Sequence, residues 1–174
     1  MNVNDNINME YEARVMINEE QYLNIRNHYL ASSYPKEELV NENYYFDTAD
    51  LKLSESHKVL RLIKINSEKY ELTLKFRGEK GTIEINKPLT SKEANGLMEK
   101  GCIPFVDINN MLSEFGVDPS SIKLITNLKT ERLEVKLENC LLVIDKNYFR
   151  GKIDFAWSSA SDSTSTLKSI LPRK

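Results

Sequence analysis

The sequence predicts an α+β fold, mainly antiparallel β, whose strands close or nearly close into a barrel. Three observations carry this. Runs such as KYELTLKF alternate apolar and polar residues with period two, as half-buried strands do. Two pairs of such runs are joined by short turns, RGEKGT at residues 77–82 and Glu138-Asn139 further on, which makes antiparallel hairpins. The segments with helical spacing are too few to cross over between all the strands, so a parallel α/β sheet is excluded.

The elements follow in order. In MEYEARVMI, residues 9–17, Met9, Tyr11, Ala13, Val15 and Ile17 take one parity and Glu10, Glu12 and Arg14 the other, giving a strand with one charged face. Asn18, followed by Glu19, Glu20 and Gln21, is a helix N-cap with a capping-box partner, and Tyr22, Ile25, Arg26 and Tyr29 repeat at helical spacing. That helix ends near Ser32 to Pro35. A strand begins at Asn43 and is broken by the turn Asp47-Thr48-Ala49-Asp50; a second runs from about Val59 to Ile65. Residues 69–76 then alternate Tyr70, Leu72, Leu74 and Phe76 with Glu71, Thr73 and Lys75, and after the turn Ile83 and Ile85 oppose Glu84 and Asn86. One helix follows Thr90, with Glu93 at its box position and Gly101 past its end, and another runs from Asp107 to Gly116. LKTERLEVKL and CLLVIDKNYF form the second hairpin. From Ala156 the chain turns Ser/Thr-rich, so residues 1–155 read as the domain and 156–174 as an irregular or truncated tail with the last strand disrupted.

Composition removes several classes of function. A net charge of −2 and the lack of a Lys/Arg cluster interleaved with aromatics argue against nucleic acid. Apolar runs are only a few residues long, far short of a membrane span, and the N-terminus carries no basic-then-apolar leader pattern, so a cytoplasmic protein is expected. Cys102 and Cys140 lie far apart without a neighbouring His, which is neither a disulfide framework nor a metal spacing. His28 and His57 have no ligand at metal spacing, and RGEKGT is not a phosphate-binding loop because it joins two strands instead of opening a helix.

The charged strand face is what remains. Each strand alone reads as a solvated surface. Taken together, Glu10, Glu12, Arg14, Arg61, Glu71, Lys75, Glu84, Arg132, Glu134, Lys136 and Asp145 put both signs of charge on one parity in most strands. With that parity inward, Lys and Arg would neutralise phosphate oxygens and carboxylates would hold a hard divalent cation. Mg²⁺ takes one or two carboxylates when phosphates supply the rest, a demand that Glu10 and Glu12, two apart on one strand, can meet.

The ordered pieces Glu10-x-Glu12-x-Arg14, Tyr45-Phe46-Asp47-Thr48, Leu60-Arg61, Leu72-Thr73-Leu74-Lys75, Ile83-Glu84, Thr130-Glu131-Arg132 and Val143-Ile144-Asp145 resemble the signature of the CYTH superfamily of triphosphate tunnel proteins. The resemblance spans about residues 9 to 155 and is greatest to a short bacterial branch labelled provisionally as adenylate cyclases. It implies an eight-stranded antiparallel tunnel. It implies that Glu10, Glu12, Glu84 and Asp145 are catalytic, with Glu10, Glu12 and Asp145 on Mg²⁺ or Mn²⁺. Arg14, Arg61, Lys75 and Arg132 would hold the triphosphate, and Lys136 joins them from the same strand face. The expected activity is metal-dependent hydrolysis of an inorganic or organic triphosphate such as tripolyphosphate, ATP or thiamine triphosphate. The alternatives are cyclisation of ATP, as in class IV adenylyl cyclases, and binding of nucleotide or polyphosphate with weakened catalysis. A homodimer is allowed. Three departures stand out: Arg14 replaces a Lys, Ile63 replaces a second basic residue after Arg61, and Ala156 and Ser158 stand where relatives carry a Glu-x-Glu pair.

Overall fold

A computed structural model of the chain describes residues 6–79 and 81–161, with side chains from residue 13 to residue 159 within that span. Eight strands and a few helices alternate as β1 (Asn6–Ile17), α1 (Glu19–Ala31), β2 (Lys36–Asp47), α2 (Lys52–Glu55), β3 (Val59–Ile65), β4 (Lys69–Arg77), β5 (Thr82–Leu89), α3 (Ser91–Lys100), α4 (Val106–Glu114), β6 (Lys123–Lys136), β7 (Leu141–Phe149) and β8 (Lys152–Ser161). The sheet is antiparallel, with the strand order β1-β5-β4-β3-β2-β6-β7-β8, and β8 pairs back onto β1. Among the described residues no helix is long and apolar enough to cross a membrane.

The chain divides into two compact units. The first comprises Met1–Asn8 and Glu42–Asn127, the second Met9–Asn41 and Leu128–Lys174. In the first unit the period-two pattern of β3, β4 and β5 sends Leu60, Leu62, Leu72, Leu74 and Ile85 to one face, where they meet Ala94 and Leu97 of α3 and Ile108 and Leu112 of α4 in a single buried cluster. The Thr90–Glu93 capping box starts α3, and Gly101 ends it in the left-handed region at φ 68°. A Cβ on Gly101 would lie 2.0 Å from the Ile122 carbonyl oxygen, so both conformation and space require glycine there.

In the second unit Leu133, Val135, Leu142 and Ile144 form the corresponding apolar face, covered by Tyr22, Ile25 and Tyr29 of α1 together with Phe155 and Trp157 of β8. The Asn18–Gln21 capping box fixes the start of α1, and the Tyr22 and Phe155 rings pack with centroids 4.8 Å apart.

Several boundaries differ from the sequence reading, β1 starting at Asn6 and β6 at Lys123, and three differences have a clear physical reason. β2 begins at Lys36, earlier than Asn43, because its first residues are exposed and polar and carry no alternating apolar signal. The short helix α2 follows the Asp47 turn, too brief to show a helical period. β8 continues through Ala156 to Ser161, so the segment expected to be irregular from residue 156 is strand at its start; pairing with both β7 and β1 outweighs the poor strand propensity of its serines. The rest of the Ser/Thr-rich segment lies outside the described residues.

Candidate functional site

The alternation that buries the two apolar faces leaves charged residues on the opposite faces. In the first unit the register builds three cross-strand rungs: Val59–Lys75–Glu84, Arg61–Thr73–Asn86 and Ile63–Glu71–Pro88. The Thr73 hydroxyl donates to Asn86 Oδ1 at 2.8 Å. Arg61 Nη2 stands 3.6 Å from Glu84 Oε1, and Lys75 Nζ 3.8 Å from Glu84 Oε2. Both distances exceed a hydrogen bond, so one carboxylate balances two cations without binding either closely. The Nε of Arg61 is buried and has no hydrogen-bond partner. A buried guanidinium N–H with no acceptor is costly and rare, and marks a place where an acceptor belongs. Glu71, half-buried, completes the cluster. Burial pushes its carboxyl up, Arg61 pulls it back and Glu84 adds to the rise, leaving it above the usual glutamate value.

In the second unit the rungs are Thr130–Asn147–Asp154, Arg132–Asp145–Ala156 and Glu134–Val143–Ser158, the last two extended onto β1 by Met16 and Arg14. Arg132 and Asp145 are direct partners. Arg132 Nε donates to Asp145 Oδ1 at 2.9 Å and Nη2 to Oδ2 at 3.0 Å, while Nη1 lies 3.6 Å from Glu134. Asp145 is 3% exposed, so this fork satisfies a buried carboxylate. Beside it the Thr130 hydroxyl donates to Asn147 Oδ1 at 2.8 Å, and Asn147 Nδ2 to Asp154 Oδ1 at 2.7 Å.

The structure therefore groups Arg61, Lys75 and Glu84 in one unit, and Arg132 with Asp145 in the other. Lys136 is exposed at the end of β6, on a surface cleft of about 250 Å³ with Glu134, Leu141 and Pro35 to Glu37. Arg14 is exposed on β1 opposite Ser158. The side chains of Glu10 and Glu12 lie outside the described residues. Among the described residues no group of three His, Cys, Asp or Glu side chains could hold a metal ion. Thr73, Asn86, Thr130 and Asn147 are polar members of these rungs that the sequence does not mark as site residues. Their signal was position alone, since they share the parity of the charges but carry none.

Asp47, part of the signature, has a structural place. Its carboxylate accepts from the backbone N–H groups of Thr48, Leu53 and Ser54 and from the Ser54 hydroxyl, at 2.7 to 2.9 Å, and so ties β2 to α2. Burial alone would raise its pKa; these donors outweigh it and hold the carboxyl below the usual aspartate range.

The chain is similar to known proteins over most of its length. YjbK of Bacillus subtilis, named provisionally as a triphosphatase, is 28% identical over 147 residues, covering 84% of this chain and 74% of YjbK. The crystal structure of a Bacillus halodurans protein described provisionally as an adenylate cyclase has a TM-score of 0.85 at 22% identity, covering 94% of this chain and 86% of that one. A Hippeastrum protein, described provisionally as an adenylyl cyclase that reveals a dominant triphosphatase activity, has a TM-score of 0.76 at 15% identity, covering 93% and 83%. The fold is thus the eight-stranded antiparallel tunnel fold, closed or nearly so. The model of the CYTH domain family matches residues 8–163, almost the whole chain, and the chain belongs to that family.

Proposed function

We propose that this protein binds an inorganic or organic triphosphate together with a divalent metal ion and hydrolyses it. The observation that carries the reading is the first unit's cluster: Arg61 with a buried, unaccepted Nε, Lys75 beside it, and Glu84 at 3.6 and 3.8 Å from the pair. Two cations held loosely by one carboxylate can turn to phosphate oxygens at little cost, since no close hydrogen bond has to be broken. Their part is to hold the phosphates and offset charge as the phosphoryl group transfers. Arg14 and Lys136 are assigned the same role in the second unit, and Arg132 shares it only where its fork to Asp145 opens.

The donor chemistry fits a hard divalent ion already chelated by phosphate better than a preformed metal cage. Glu10 and Glu12 are the residues assigned to it. Asp145, both of whose oxygens are taken by Arg132, joins them only if Arg132 turns to phosphate. Mg²⁺ or Mn²⁺ bound there would neutralise phosphate charge and lower the pKa of a bound water.

Tripolyphosphate should raise the melting temperature well above any shift given by monophosphate, because a ligand bound only by the folded state stabilises it. Arg61→Ala or Lys75→Ala should each weaken tripolyphosphate about tenfold or more, the worth of one charge-assisted hydrogen bond. Equal small shifts for both phosphates would overturn the reading. Incubating a panel of triphosphates with Mg²⁺ or Mn²⁺ and measuring phosphate, pyrophosphate and cyclic nucleotide then separates hydrolysis from ATP cyclisation and from binding alone. Cyclisation is the runner-up, favoured by the provisional description of the Bacillus halodurans protein, whereas the dominant triphosphatase activity of the Hippeastrum protein favours hydrolysis.

A further inference from the structure

We infer that Glu71 makes anion binding on the β3-β4-β5 face proton-linked: it takes up a proton when a polyphosphate arrives and donates a hydrogen bond to a phosphate oxygen. The inference rests on the reading of this face as a phosphate site. Its starting point is the register. Glu71 lies directly between Ile63 on β3 and Pro88 on β5. Neither neighbour can donate to it through a side chain, and Ile63 is itself buried at 9% exposure. A basic residue at position 63 would stand opposite Glu71 and hold it ionised. With Ile63 there, the half-buried carboxyl has uncharged neighbours on both sides of its rung, and among the described residues it has no hydrogen-bond or ion-pair partner.

The charged groups facing Glu71 are few. β3 presents Arg61, β5 presents Glu84 and β4 itself Lys75, while α3 packs on the other face of β4 through Ala94 and Leu97. Arg61 favours the ionised form and Glu84 opposes it, with burial adding to the opposition, so the carboxyl already stands above its ordinary value in the absence of ligand. A triphosphate engaging Arg61 and Lys75 would bring several negative charges beside Glu71 while occupying the cation that stabilises it. Both changes raise its affinity for a proton. Protonated, the group turns from an acceptor that repels phosphate into an O–H donor aimed at the same face. No bond is made or broken: one proton passes from solvent to the carboxylate as the ligand binds.

The test compares tripolyphosphate binding by the parent, Glu71→Gln, Glu71→Ala and Ile63→Lys by titration calorimetry between about pH 5 and pH 8, in buffers of different ionisation enthalpy. Glu71→Gln mimics the protonated acid, so it should bind more tightly than the parent at the alkaline end, about tenfold for each tenfold gain in proton affinity that the ligand gives Glu71. The advantage should vanish toward the acid end. Protonation of the ligand itself is common to both proteins and cancels in the ratio. The parent should take up more protons on binding than Glu71→Gln does, and Ile63→Lys should lower that uptake by holding Glu71 ionised. A parent-to-Gln ratio that stays flat with pH overturns the inference alone. Tightening by Glu71→Ala as large as that by Gln overturns the donor role, because alanine removes the repulsion without supplying a donor. No binding by parent and variants at any pH overturns the phosphate site itself, and this inference with it.

Discussion

The two units solve the same electrostatic problem in opposite ways. In the second, Arg132 and Asp145 are direct cross-strand partners and close a two-point fork at 2.9 and 3.0 Å. In the first, Arg61 faces Thr73 across β4 and reaches Glu84 only diagonally, at 3.6 Å, sharing it with Lys75 at 3.8 Å. Register decides which arginine is committed. A carboxylate placed opposite an arginine and buried consumes it, whereas one placed a rung away and shared between two cations leaves both available for a ligand. The same residue type on the same strand face can therefore anchor the sheet in one unit and present charge in the other.

Removing each arginine would break this comparison or confirm it. Arg132→Ala leaves Asp145, 3% exposed, without its guanidinium, and stranding a buried charge is strongly destabilising. We expect a loss of about 3 kcal/mol in urea unfolding, at the lower end of the range for broken buried pairs because Arg132 keeps some solvent contact. Arg61→Ala should cost about 1 kcal/mol or less, since its ion pair is long and its Nε contributes no hydrogen bond. Arg132→Lys should fall between the Arg132 pair and its loss, because an ammonium cannot make the fork. Equal costs for Arg61→Ala and Arg132→Ala would show that the distances do not report commitment.

A second way to sharpen the contrast uses β8, where Ala156 and Ser158 stand where the resemblance read from the sequence calls for a Glu pair. The register separates their consequences. Ala156, 1% exposed, faces Asp145 on β7, so Ala156→Glu sets a carboxylate opposite one already taken by Arg132. Like charges directly across a sheet repel, and the new one is also buried. We expect a loss of about 2 kcal/mol. Ser158 is buried as well, at 6% exposed, but faces Arg14 on β1, so Ser158→Glu meets an opposite charge and should cost about half as much. If the Glu pair serves metal chemistry, Ser158→Glu alone should raise metal-dependent phosphate release. A stable Ala156→Glu would mean that Asp145 is less committed than its geometry shows.

Much of this was legible in the sequence. Period-two alternation placed Arg61, Lys75, Glu84, Arg132 and Asp145 on faces opposite the apolar clusters, because one face of each strand had to be buried. The capping boxes at Asn18 and Thr90 fixed two helix starts to the residue. What alternation cannot give is which residue faces which across two strands. The Arg132–Asp145 fork and the Ile63–Glu71–Pro88 rung exist only once register is known, and register depends on hairpin geometry that Glu138-Asn139 or RGEKGT alone does not specify. β8 beyond Phe155 is hidden in the sequence for a related reason: serine and alanine carry little strand signal of their own, and a strand paired on both sides does not need it.

The smallest effect concerns how each unit satisfies its buried aspartate. Asp145 and Asp47 are both 3% exposed, but the first is held by a guanidinium and the second by neutral N–H and O–H donors from Thr48, Leu53 and Ser54. Those donors favour the ionised form, so the folded pKa of Asp47 lies below the ordinary value of 3.8 that the unfolded chain retains. A depressed carboxylate binds fewer protons folded than unfolded, and its contribution is fully present above the unfolded value. It is lost as pH falls through 3.8 toward the folded value, on the order of 1 kcal/mol for each tenfold difference in proton affinity between the two states. Asp47→Asn removes the titrating group and keeps an oxygen acceptor. Its unfolding free energy should be lower than the parent's at neutral pH and should converge on it in acid, with the loss of amide-exchange protection centred on the N–H groups of Leu53 and Ser54. Because the donors are neutral, that difference should hardly change with added salt, whereas the cost of Arg132→Ala should shrink. Parallel parent and Asp47→Asn curves across the acid range would show that the Asp47 carboxylate is not what ties α2 to β2.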